Sequence, residues 1–286
     1  MEYLTLNNGL KMPKLGFGVF QVPDLKECEE AVLNALEAGY RLLDTAAAYG
    51  NEEAVGAAIK KSGIPRQEIF LTTKLWVADA SYEKAKVAIE TSLKKLGTDY
   101  INLYLLHQPY GDVAGAWRAM EEAYQAGQLR ALGVSNFYPD QYKNLTLMSQ
   151  VKPVLNQIEV NPWFQQNSDV AYFQGEDVVV EAWAPYAEGK HDIFTNPTIA
   201  QIGQKYGKTN GQVILRWLLQ RDIVIIPKSV RRQRMEENFD VFDFRLDQED
   251  METMANLDKG QSQFFDHRDP AAIEAIFGSS LTALKN

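Results

Sequence analysis

The stretch Ile101-Asn102-Leu103-Tyr104-Leu105-Leu106-His107 shows the pattern that decides the fold of this chain. A short, mostly apolar run with the length of a buried strand ends directly at a side chain capable of proton transfer. The same pattern precedes Asp44 and Lys74. Parallel barrel strands direct their carboxyl ends to one face, where such barrels hold their functional residues. The sequence therefore predicts that these side chains, with Tyr49 from the loop after Asp44, meet on that face.

Eight runs of this kind alternate with helical patterns along the chain. The predicted strands are 15–18, 41–43, 69–73, 101–106, 131–134, 154–158, 178–182 and 223–226. Helical patterns lie between them at 25–37, 52–61, 82–96, 113–126, 139–148, 212–220 and 232–239. An alternation of eight strands with helices predicts an α/β fold, a (β/α)8 TIM barrel.

The two ends of the chain add elements to this barrel. Asn7-Asn8-Gly9 between apolar pieces predicts an N-terminal β-hairpin. The segment 246–257 predicts an extra C-terminal helix, and 258–286 has the pattern of an irregular tail. No linker divides the chain, so we expect residues 1–286 to form a single domain.

An open doubly wound sheet is the competing architecture. It would carry the pattern G-x-G-x-x-G after its first strand. The segment Gly16-Phe17-Gly18-Val19-Phe20-Gln21 starts this pattern but has glutamine in place of the third glycine. The barrel is therefore the favoured prediction.

Composition excludes several classes of protein. The net charge of -9 disfavours nucleic acids and anionic membranes as partners. The single cysteine, Cys28, rules out an internal disulfide, and with only three histidines it argues against a metal site of the zinc type. No apolar stretch has the length of a membrane span, and the first residues lack the features of a signal peptide. We expect a cytoplasmic monomer without bound metal.

The four polar residues predict proton-transfer chemistry. A tyrosine with a pKa of ~10 is a poor acid at neutral pH, but a nearby ammonium lowers that pKa. Lys74 could supply this charge, held by an ion pair with Asp44. His107 could orient a carbonyl by donating from one ring nitrogen. None of these groups is a redox centre, so the set suits hydride delivery from a cofactor to a carbonyl.

Each of these residues also has a simple structural explanation when it is considered alone. Asp44 could cap a helix, Tyr49 could pack in a loop and Lys74 could be solvated. His107 could be a hydrogen-bonded core residue. Their joint placement at the strand ends of one barrel face favours the functional interpretation.

These motifs resemble the aldo-keto reductase superfamily along nearly the whole chain. The segments that match are Leu42-Leu43-Asp44-Thr45-Ala46, Tyr49-Gly50-Asn51-Glu52, Thr72-Thr73-Lys74-Leu75-Trp76, Leu103-Tyr104-Leu105-Leu106-His107, Gly133-Val134-Ser135-Asn136-Phe137 and Ile226-Pro227-Lys228-Ser229. The chain is most similar to a bacterial and plant-like branch that includes diketogluconate and glyoxal or methylglyoxal reductases. The resemblance implies reduction of small aldehydes, dicarbonyls or keto sugar acids. It also implies that Tyr49 is the general acid, that Lys74 and Asp44 tune it, and that His107 positions the carbonyl.

A basic segment follows the last predicted strand. Lys228-Ser229-Val230-Arg231-Arg232-Gln233-Arg234 contains four basic residues among seven and begins a predicted helix, which favours an anion site. A solvated helix start and an RNA-binding patch are the alternatives, and the patch lacks accompanying aromatic residues. The resemblance implies NADPH as cofactor, with Lys228, Ser229 and Arg234 on its 2′-phosphate and Glu237 and Asn238 on its adenine. Arg231 stands where many relatives have threonine.

The resemblance also implies a site for the nicotinamide. Ser135, Asn136 and Gln157 would hold its carboxamide, because hydroxyl and amide groups both donate and accept hydrogen bonds. Ser135 and Asn136 could equally form a helix cap. Trp183 matches the position that stacks on the nicotinamide ring, and a buried core tryptophan is the alternative interpretation.

Four residues just past strand ends are predicted to line the substrate pocket: Phe20, Trp76, Gln108 and Tyr110. Many relatives have tryptophan where this chain has Phe20 and Gln108. These differences imply a wider, more polar pocket that disfavours steroids. His267 and Arg268 of the tail could attract a carboxylate or could form an exposed loop pair.

Two other functions remain open at the level of sequence. A cofactor-sensing regulatory subunit could use the same fold without turnover. A barrel hydrolase could use Asp44 with a second carboxylate, but it would not explain the basic segment at 228–234.

Overall fold

The predicted strands form one parallel sheet in which each strand pairs with its neighbours along the chain. The computed structural model describes residues 1–285. The hairpin consists of β1 Tyr3–Thr5 and β2 Lys11–Pro13. The strands of the sheet are β3 Phe17–Gly18, β4 Leu42–Asp44, β5 Phe70–Leu75, β6 Leu103–Leu106, β7 Leu132–Ser135, β8 Leu155–Glu159, β9 Val179–Trp183 and β10 Ile223–Ile225.

Backbone hydrogen bonds join the beginning of the sheet to its last strand and close the barrel. Leu15 forms a parallel bridge with Ile225. The amide of Gly16 donates to the carbonyl of Ile225 at 2.8 Å, and the amide of Ile225 donates to the carbonyl of Lys14 at 3.0 Å. The predicted (β/α)8 barrel with an N-terminal hairpin is therefore confirmed.

Helices follow most strands of the barrel. They are α1 Leu25–Glu37, α2 Glu52–Ser62, α3 Tyr82–Leu96, α4 Val113–Gln125, α5 Pro139–Met148, α6 Asn167–Gly175, α7 Pro197–Tyr206, α8 Asn210–Gln220, α9 Arg232–Phe239, α10 Gln248–Ala255 and α11 Pro270–Thr282. The predicted extra C-terminal helix is α10. Helices α6 and α7 are short, with nine and ten residues, and the sequence analysis did not predict them. No helix in the described part of the chain is long and apolar enough to cross a membrane.

The prediction of an irregular tail after residue 258 is wrong, because the tail contains α11. Asp269 caps this helix by accepting a hydrogen bond from the amide of Ala271 at 3.0 Å, and Pro270 begins it. These signals favour a helix start. Only Phe277 is buried along α11, so the helix lacks the apolar periodicity on which the prediction depended.

The hairpin covers the amino-terminal end of the barrel interior. Leu6 and Met12 are buried in one apolar cluster with Leu42, Leu103 and Leu105 from the strands. This cluster fills one end of the barrel with hydrocarbon. Polar side chains inside the barrel therefore lie toward the other end.

Side-chain alternation along the strands positions these polar residues. Successive residues of a strand point to opposite sides of a sheet, so every second residue faces the interior. Leu42 and Phe70 belong to the apolar cluster. Asp44 lies two residues after Leu42, and Lys74 lies four residues after Phe70, so both share the interior face. The fold thus brings both charged groups to the floor of one site.

Candidate active site

A cleft of about 970 Å³ opens at the carboxyl ends of the barrel strands. It contains three of the four predicted catalytic residues, Asp44, Tyr49 and His107. The fourth, Lys74, is fully buried directly behind them. Large apolar clefts with a few convergent polar groups are the usual form of small-molecule sites.

Lys74 connects the other groups on the cleft floor. Its ammonium donates to Oδ1 of Asp44 at 2.5 Å, to the carbonyl oxygen of Thr45 at 2.9 Å and to the hydroxyl of Tyr49 at 3.3 Å. These contacts use all three hydrogens of the ammonium. Because the Tyr49 oxygen accepts from Lys74, its own proton is left to donate, and it finds no acceptor among residues 1–285.

Burial sets the protonation of this group. Burial raises the pKa of Tyr49, and the charge of Lys74 opposes that rise without cancelling it. Lys74 thus lowers the pKa of Tyr49 as predicted, but the net pKa is still raised. The phenol is therefore protonated at neutral pH.

The buried ion pair has its own electrostatic balance. Burial alone would lower the pKa of Lys74, but the charges of Asp44 and Tyr49 outweigh it, and the net pKa is raised. Burial raises the pKa of Asp44, opposed by Lys74 and by a hydrogen bond from Gln157. With two donors on its carboxylate, Asp44 is ionised beside a charged Lys74.

His107 follows β6 and faces the same cleft. Burial, followed by the charge of Lys74, holds the pKa of His107 well below its usual value, so the imidazole is neutral. Its Nδ1 is buried and has no hydrogen-bond partner in the part of the chain that the structure describes. A buried N–H without an acceptor is costly, which favours the tautomer with the proton on Nε2. The rings of Trp76 and Tyr49 pack against the imidazole at centroid distances of 5.1 and 5.8 Å.

The residues predicted to hold the nicotinamide carboxamide also line the cleft. Ser135 donates to the backbone carbonyl of Gln157 at 2.8 Å, and the Asn136 amide donates to Ser135 and to the carbonyl of His107, both at 3.1 Å. Trp183 donates from its indole nitrogen to Asn136 at 2.9 Å. Gln157 lines the cleft, and its side-chain oxygen accepts no hydrogen bond within the described residues.

The basic segment lies at one end of the cleft and leads into α9. Lys228 is exposed and lines the cleft, and neither it nor Arg231 forms an ion pair with any residue of 1–285. The hydroxyl of Ser229 accepts from the amide of Arg231 at 3.1 Å. Free cations before a helix start suit an anion. An acceptor at Gln157 and cations at Lys228 therefore fit a long ligand with an amide at one end and a phosphate toward the other.

Three further residues of this predicted site lie outside the cleft. Arg234 is exposed and pairs with Glu237 at 2.7 Å. Asn238 is buried and accepts a hydrogen bond from the hydroxyl of Tyr186 at 2.8 Å. They follow Lys228 and Ser229 along the chain and lie within α9, Arg234 in its first turn and the other two in its last.

Three of the four predicted pocket residues line the cleft. Phe20 is half exposed and packs on Tyr49 with ring centroids 5.0 Å apart, and Trp76 packs on His107. Gln108 is buried, and its side-chain oxygen has no hydrogen-bond partner among residues 1–285. Tyr110 is not among the residues that line the cleft. Its hydroxyl donates to the carbonyl of His267 at 2.6 Å, so it supports the C-terminal segment from behind.

The C-terminal segment supplies a wall of the cleft that the sequence analysis described only in part. Its lining residues are Phe264, Phe265, His267, Ile276 and Phe277. The carboxylate of Glu159 anchors this segment by accepting from Ser262 at 2.6 Å and from the amide of Gln263 at 3.0 Å. The adjacent aromatic residues Phe264 and Phe265 are a signal for this wall in the sequence. The contribution of α11 depends on where the fold places this helix, which the sequence pattern does not indicate.

His267 and Arg268 do not form a cationic pair in the cleft. Burial lowers the pKa of His267 to about 4, so it is neutral at physiological pH. The guanidinium of Arg268 lies 3.5 Å from the ring centroid of Tyr138. The exposed loop pair is not found either, because His267 is buried in the wall of the cleft.

Comparison with known proteins gives a consistent family assignment. A model described as the aldo/keto reductase family matches residues 14–259. Glyoxal reductase of Bacillus subtilis (strain 168) is 44% identical over 261 residues, 91% of this chain and 94% of that protein. Methylglyoxal reductase DkgA of Escherichia coli (strain K12) is 42% identical over 261 residues, 90% of this chain and 94% of that protein. The crystal structure of a Bombyx mori aldo-keto reductase in complex with NADP matches with a TM-score of 0.87 at 35% identity, covering 96% of each chain.

The buried ion pair predicts a strong dependence of stability on both partners. Asp44→Asn leaves the buried ammonium of Lys74 without its counter-charge, and we expect the free energy of unfolding to fall by about 3–5 kcal/mol. Urea denaturation measures this change. The double variant Asp44→Asn, Lys74→Met removes both charges and should be more stable than Asp44→Asn alone.

The matched control is Glu236→Gln, which removes an exposed pairing with Arg232 at 3.0 Å. Exposed pairs contribute little, so its unfolding midpoint should match that of the wild type. Equal stability of Asp44→Asn and the wild type would contradict the account of the pair.

Proposed function

Because this chain belongs to the aldo/keto reductase family, whose members are oxidoreductases acting on carbonyl groups, we propose that it reduces small polar carbonyls with NADPH. The substrates are small aldehydes, α-dicarbonyls and keto sugar acids, and the products are the alcohols. One observation carries the proposal: the Tyr49 hydroxyl accepts from buried Lys74 while its own proton has no acceptor within the described chain. Residues 1–286 act as one catalytic domain.

Tyr49 is the proton donor in this proposal. A carbonyl oxygen gains negative charge as it is reduced, and a phenol within reach can protonate it. Lys74 stabilises the phenolate that remains, because its ammonium lies 3.3 Å from the phenol oxygen. Asp44 keeps Lys74 charged and in place. The burial that raises the pKa of Tyr49 keeps the acid protonated before the reaction.

His107 positions the carbonyl. A neutral imidazole with its proton on Nε2 donates a hydrogen bond without delivering a full charge. The packing of Trp76 and Tyr49 against the ring holds its orientation. A carbonyl oxygen that accepts from both His107 and Tyr49 is polarised and aligned for proton transfer.

The cofactor would occupy the remaining length of the cleft. When bound there, NADPH would supply a hydride to the carbonyl carbon. We propose that Gln157, Ser135 and Asn136 hold its carboxamide and that Trp183 packs on its ring. At Lys228 the cofactor would leave the cleft, so that Lys228, Ser229 and Arg234 would bind the 2′-phosphate and Glu237 and Asn238 would bind the adenine on α9. Arg231, which is exposed and forms no ion pair with any described residue, adds a further cation for the phosphate.

Gln108 supports the proposed substrate class. Gln108 lines the cleft next to the aromatic residues Phe20 and Trp76, and its buried side-chain oxygen has no partner within the described residues. An unsatisfied buried acceptor is costly, so a ligand hydroxyl or a hydrated second carbonyl that donates to it gains affinity. Glyoxal and methylglyoxal, after which these relatives are named, carry carbonyl oxygens on two adjacent carbon atoms. The same chemistry is proposed here.

Tyr49→Phe tests the acid. The variant removes only the proposed donor, so carbonyl reduction should fall by about 10²–10⁴-fold, the usual contribution of general acid catalysis. Steady-state turnover measures the loss, and titration of intrinsic fluorescence with NADPH should show nearly unchanged affinity. Wild-type turnover in this variant would show that a group other than Tyr49 is the general acid. An absence of wild-type turnover with every carbonyl tried would favour the regulatory subunit.

Arg234→Ala tests the cofactor. Only NADPH has the 2′-phosphate, and a charge-assisted hydrogen bond is worth roughly 1.5–3 kcal/mol, or about one to two decades in affinity. We expect the Kd for NADPH to rise by this factor and the Kd for NADH to change little. Arg232→Ala is the matched control, because Arg232 pairs with Glu37 and Glu236 instead. Equal weakening of both cofactors by Arg234→Ala would contradict the assignment.

Gln108 variants test the substrate class. The measurement is the ratio of kcat/KM for methylglyoxal to kcat/KM for propanal, which has the same chain length without the second oxygen. Gln108→Leu should lower this ratio by about 3- to 10-fold, the value of one hydrogen bond. The intrinsic reactivity of each aldehyde cancels between wild type and variant. Gln108→Trp should shift the substrate preference toward a bulky steroid ketone. An unchanged preference would show that Gln108 does not contact the substrate.

A further inference from the structure

Glu181 is a buried acid on the cleft floor to which neither the sequence analysis nor the mechanism above assigns a role. It lies in the middle of β9 and is fully buried. Strand alternation places it on the same inward face as Trp183, which lines the cleft. Its partner in register on β8 is Gln157. Glu181 therefore lies beside Gln157 and one inward-facing position before Trp183, and both of these residues belong to the proposed nicotinamide site.

A single amide connects Glu181 to the catalytic ion pair. The Nε2 of Gln157 donates to Oε1 of Glu181 at 2.5 Å and to Oδ2 of Asp44 at 2.9 Å. These two bonds use both hydrogens of the amide. Only the side-chain oxygen of Gln157 is then left for a ligand in the cleft. Without Glu181 the amide would have one anchor, and rotation could present its NH2 group instead.

We propose that Glu181 is a positioning residue that fixes the Gln157 amide with its oxygen toward the carboxamide NH2 of the nicotinamide. The proposal rests on the proposed function, since it takes the ligand of Gln157 to be the cofactor. It extends that function by linking the cofactor site to the proton donor. The hydrogen-bonded chain runs from Glu181 through Gln157, Asp44 and Lys74 to Tyr49.

The charges around Glu181 give it a second property. The charged and titratable groups that face it are Asp44, Lys74 and Tyr49. The Lys74 ammonium is thus the one cation among these groups, beside two carboxyl groups, and Oε2 of Glu181 is buried with no partner within the described chain. Burial, followed by the charge of Asp44, raises the pKa of Glu181 to about 8. Glu181 is therefore protonated at neutral pH and ionises in mildly alkaline solution.

Ionisation of Glu181 should discriminate between the two redox states of the cofactor. The oxidised nicotinamide ring carries a positive charge and the reduced ring does not. A carboxylate below the ring stabilises only the oxidised form. The affinity for NADP+ should therefore rise relative to that for NADPH as pH passes through the pKa of Glu181.

The decisive experiment measures both dissociation constants between pH 6.5 and 9. Quenching of intrinsic fluorescence measures the binding of NADPH, and calorimetry measures the binding of NADP+. In the wild type, the ratio of Kd for NADP+ to Kd for NADPH should fall by about 3- to 10-fold, as expected if the positive ring lowers the pKa of Glu181 by roughly half to one unit. Ionisation of the 2′-phosphate, with a pKa of ~6, is common to both cofactors and cancels in the ratio.

Two variants separate titration from positioning. Glu181→Gln keeps an acceptor for Gln157 but does not titrate, so its ratio should be flat with pH while neutral-pH affinity stays close to that of the wild type. Glu181→Leu removes the acceptor and should weaken both cofactors by about 3- to 10-fold at neutral pH. Glu121→Gln is the control, since this buried acid binds the amides of Gln150 and Val151 away from the cleft. It should retain the wild-type trend.

The outcomes that overturn the inference are distinct from those that overturn the proposed function. A wild-type pH trend in Glu181→Gln, or wild-type affinities in Glu181→Leu, would refute the role of Glu181 while leaving NADPH-dependent reduction intact. A wild type that neither binds NADPH nor reduces a carbonyl would refute the proposed function itself. If Glu181→Leu does not fold, the pH trend of Glu181→Gln decides the inference alone.

Discussion

The ion pair between Lys74 and Asp44, 2.5 Å apart and almost completely buried, is the interaction on which the rest of the site depends. A buried ammonium persists only where counter-charge and hydrogen bonds replace its water. Asp44, Thr45 and Tyr49 supply these partners. The arrangement is possible because the hairpin fills the opposite end of the barrel with apolar side chains. One end of the interior thus stabilises the fold, and the other holds the chemistry.

Burial then determines which groups can act as donors. The same low-dielectric surroundings keep Tyr49 protonated and His107 and His267 neutral. The cleft therefore offers neutral hydrogen-bond donors above a single buried charge pair. The C-terminal segment, anchored on Glu159, adds aromatic walls that exclude water from one side. Such surroundings strengthen electrostatic interactions with an oxygen that gains charge.

Much of this arrangement could be predicted from local sequence. A polar residue at the end of a short apolar run indicates a strand end, and three such runs led to Asp44, Lys74 and His107. Other features depend on contacts between distant segments. Glu181 lies inside an apolar run, and only the register of β9 on β8 reveals its bond to Gln157. Tyr110 is just past a strand end, but the path of the C-terminal segment places its hydroxyl on His267. The net pKa of Tyr49 likewise depends on burial, which sequence does not specify.

Lys74 lowers the free energy of the Tyr49 phenolate in a site whose burial raises it. Titration of protein labelled with ¹³Cζ-tyrosine by NMR tests this most directly, with the Tyr49 resonance assigned from its absence in Tyr49→Phe. In the wild type Tyr49 should titrate above the ordinary tyrosine value of ~10. In Lys74→Met it should titrate higher still. An equal or lower Tyr49 pKa in Lys74→Met would contradict the account.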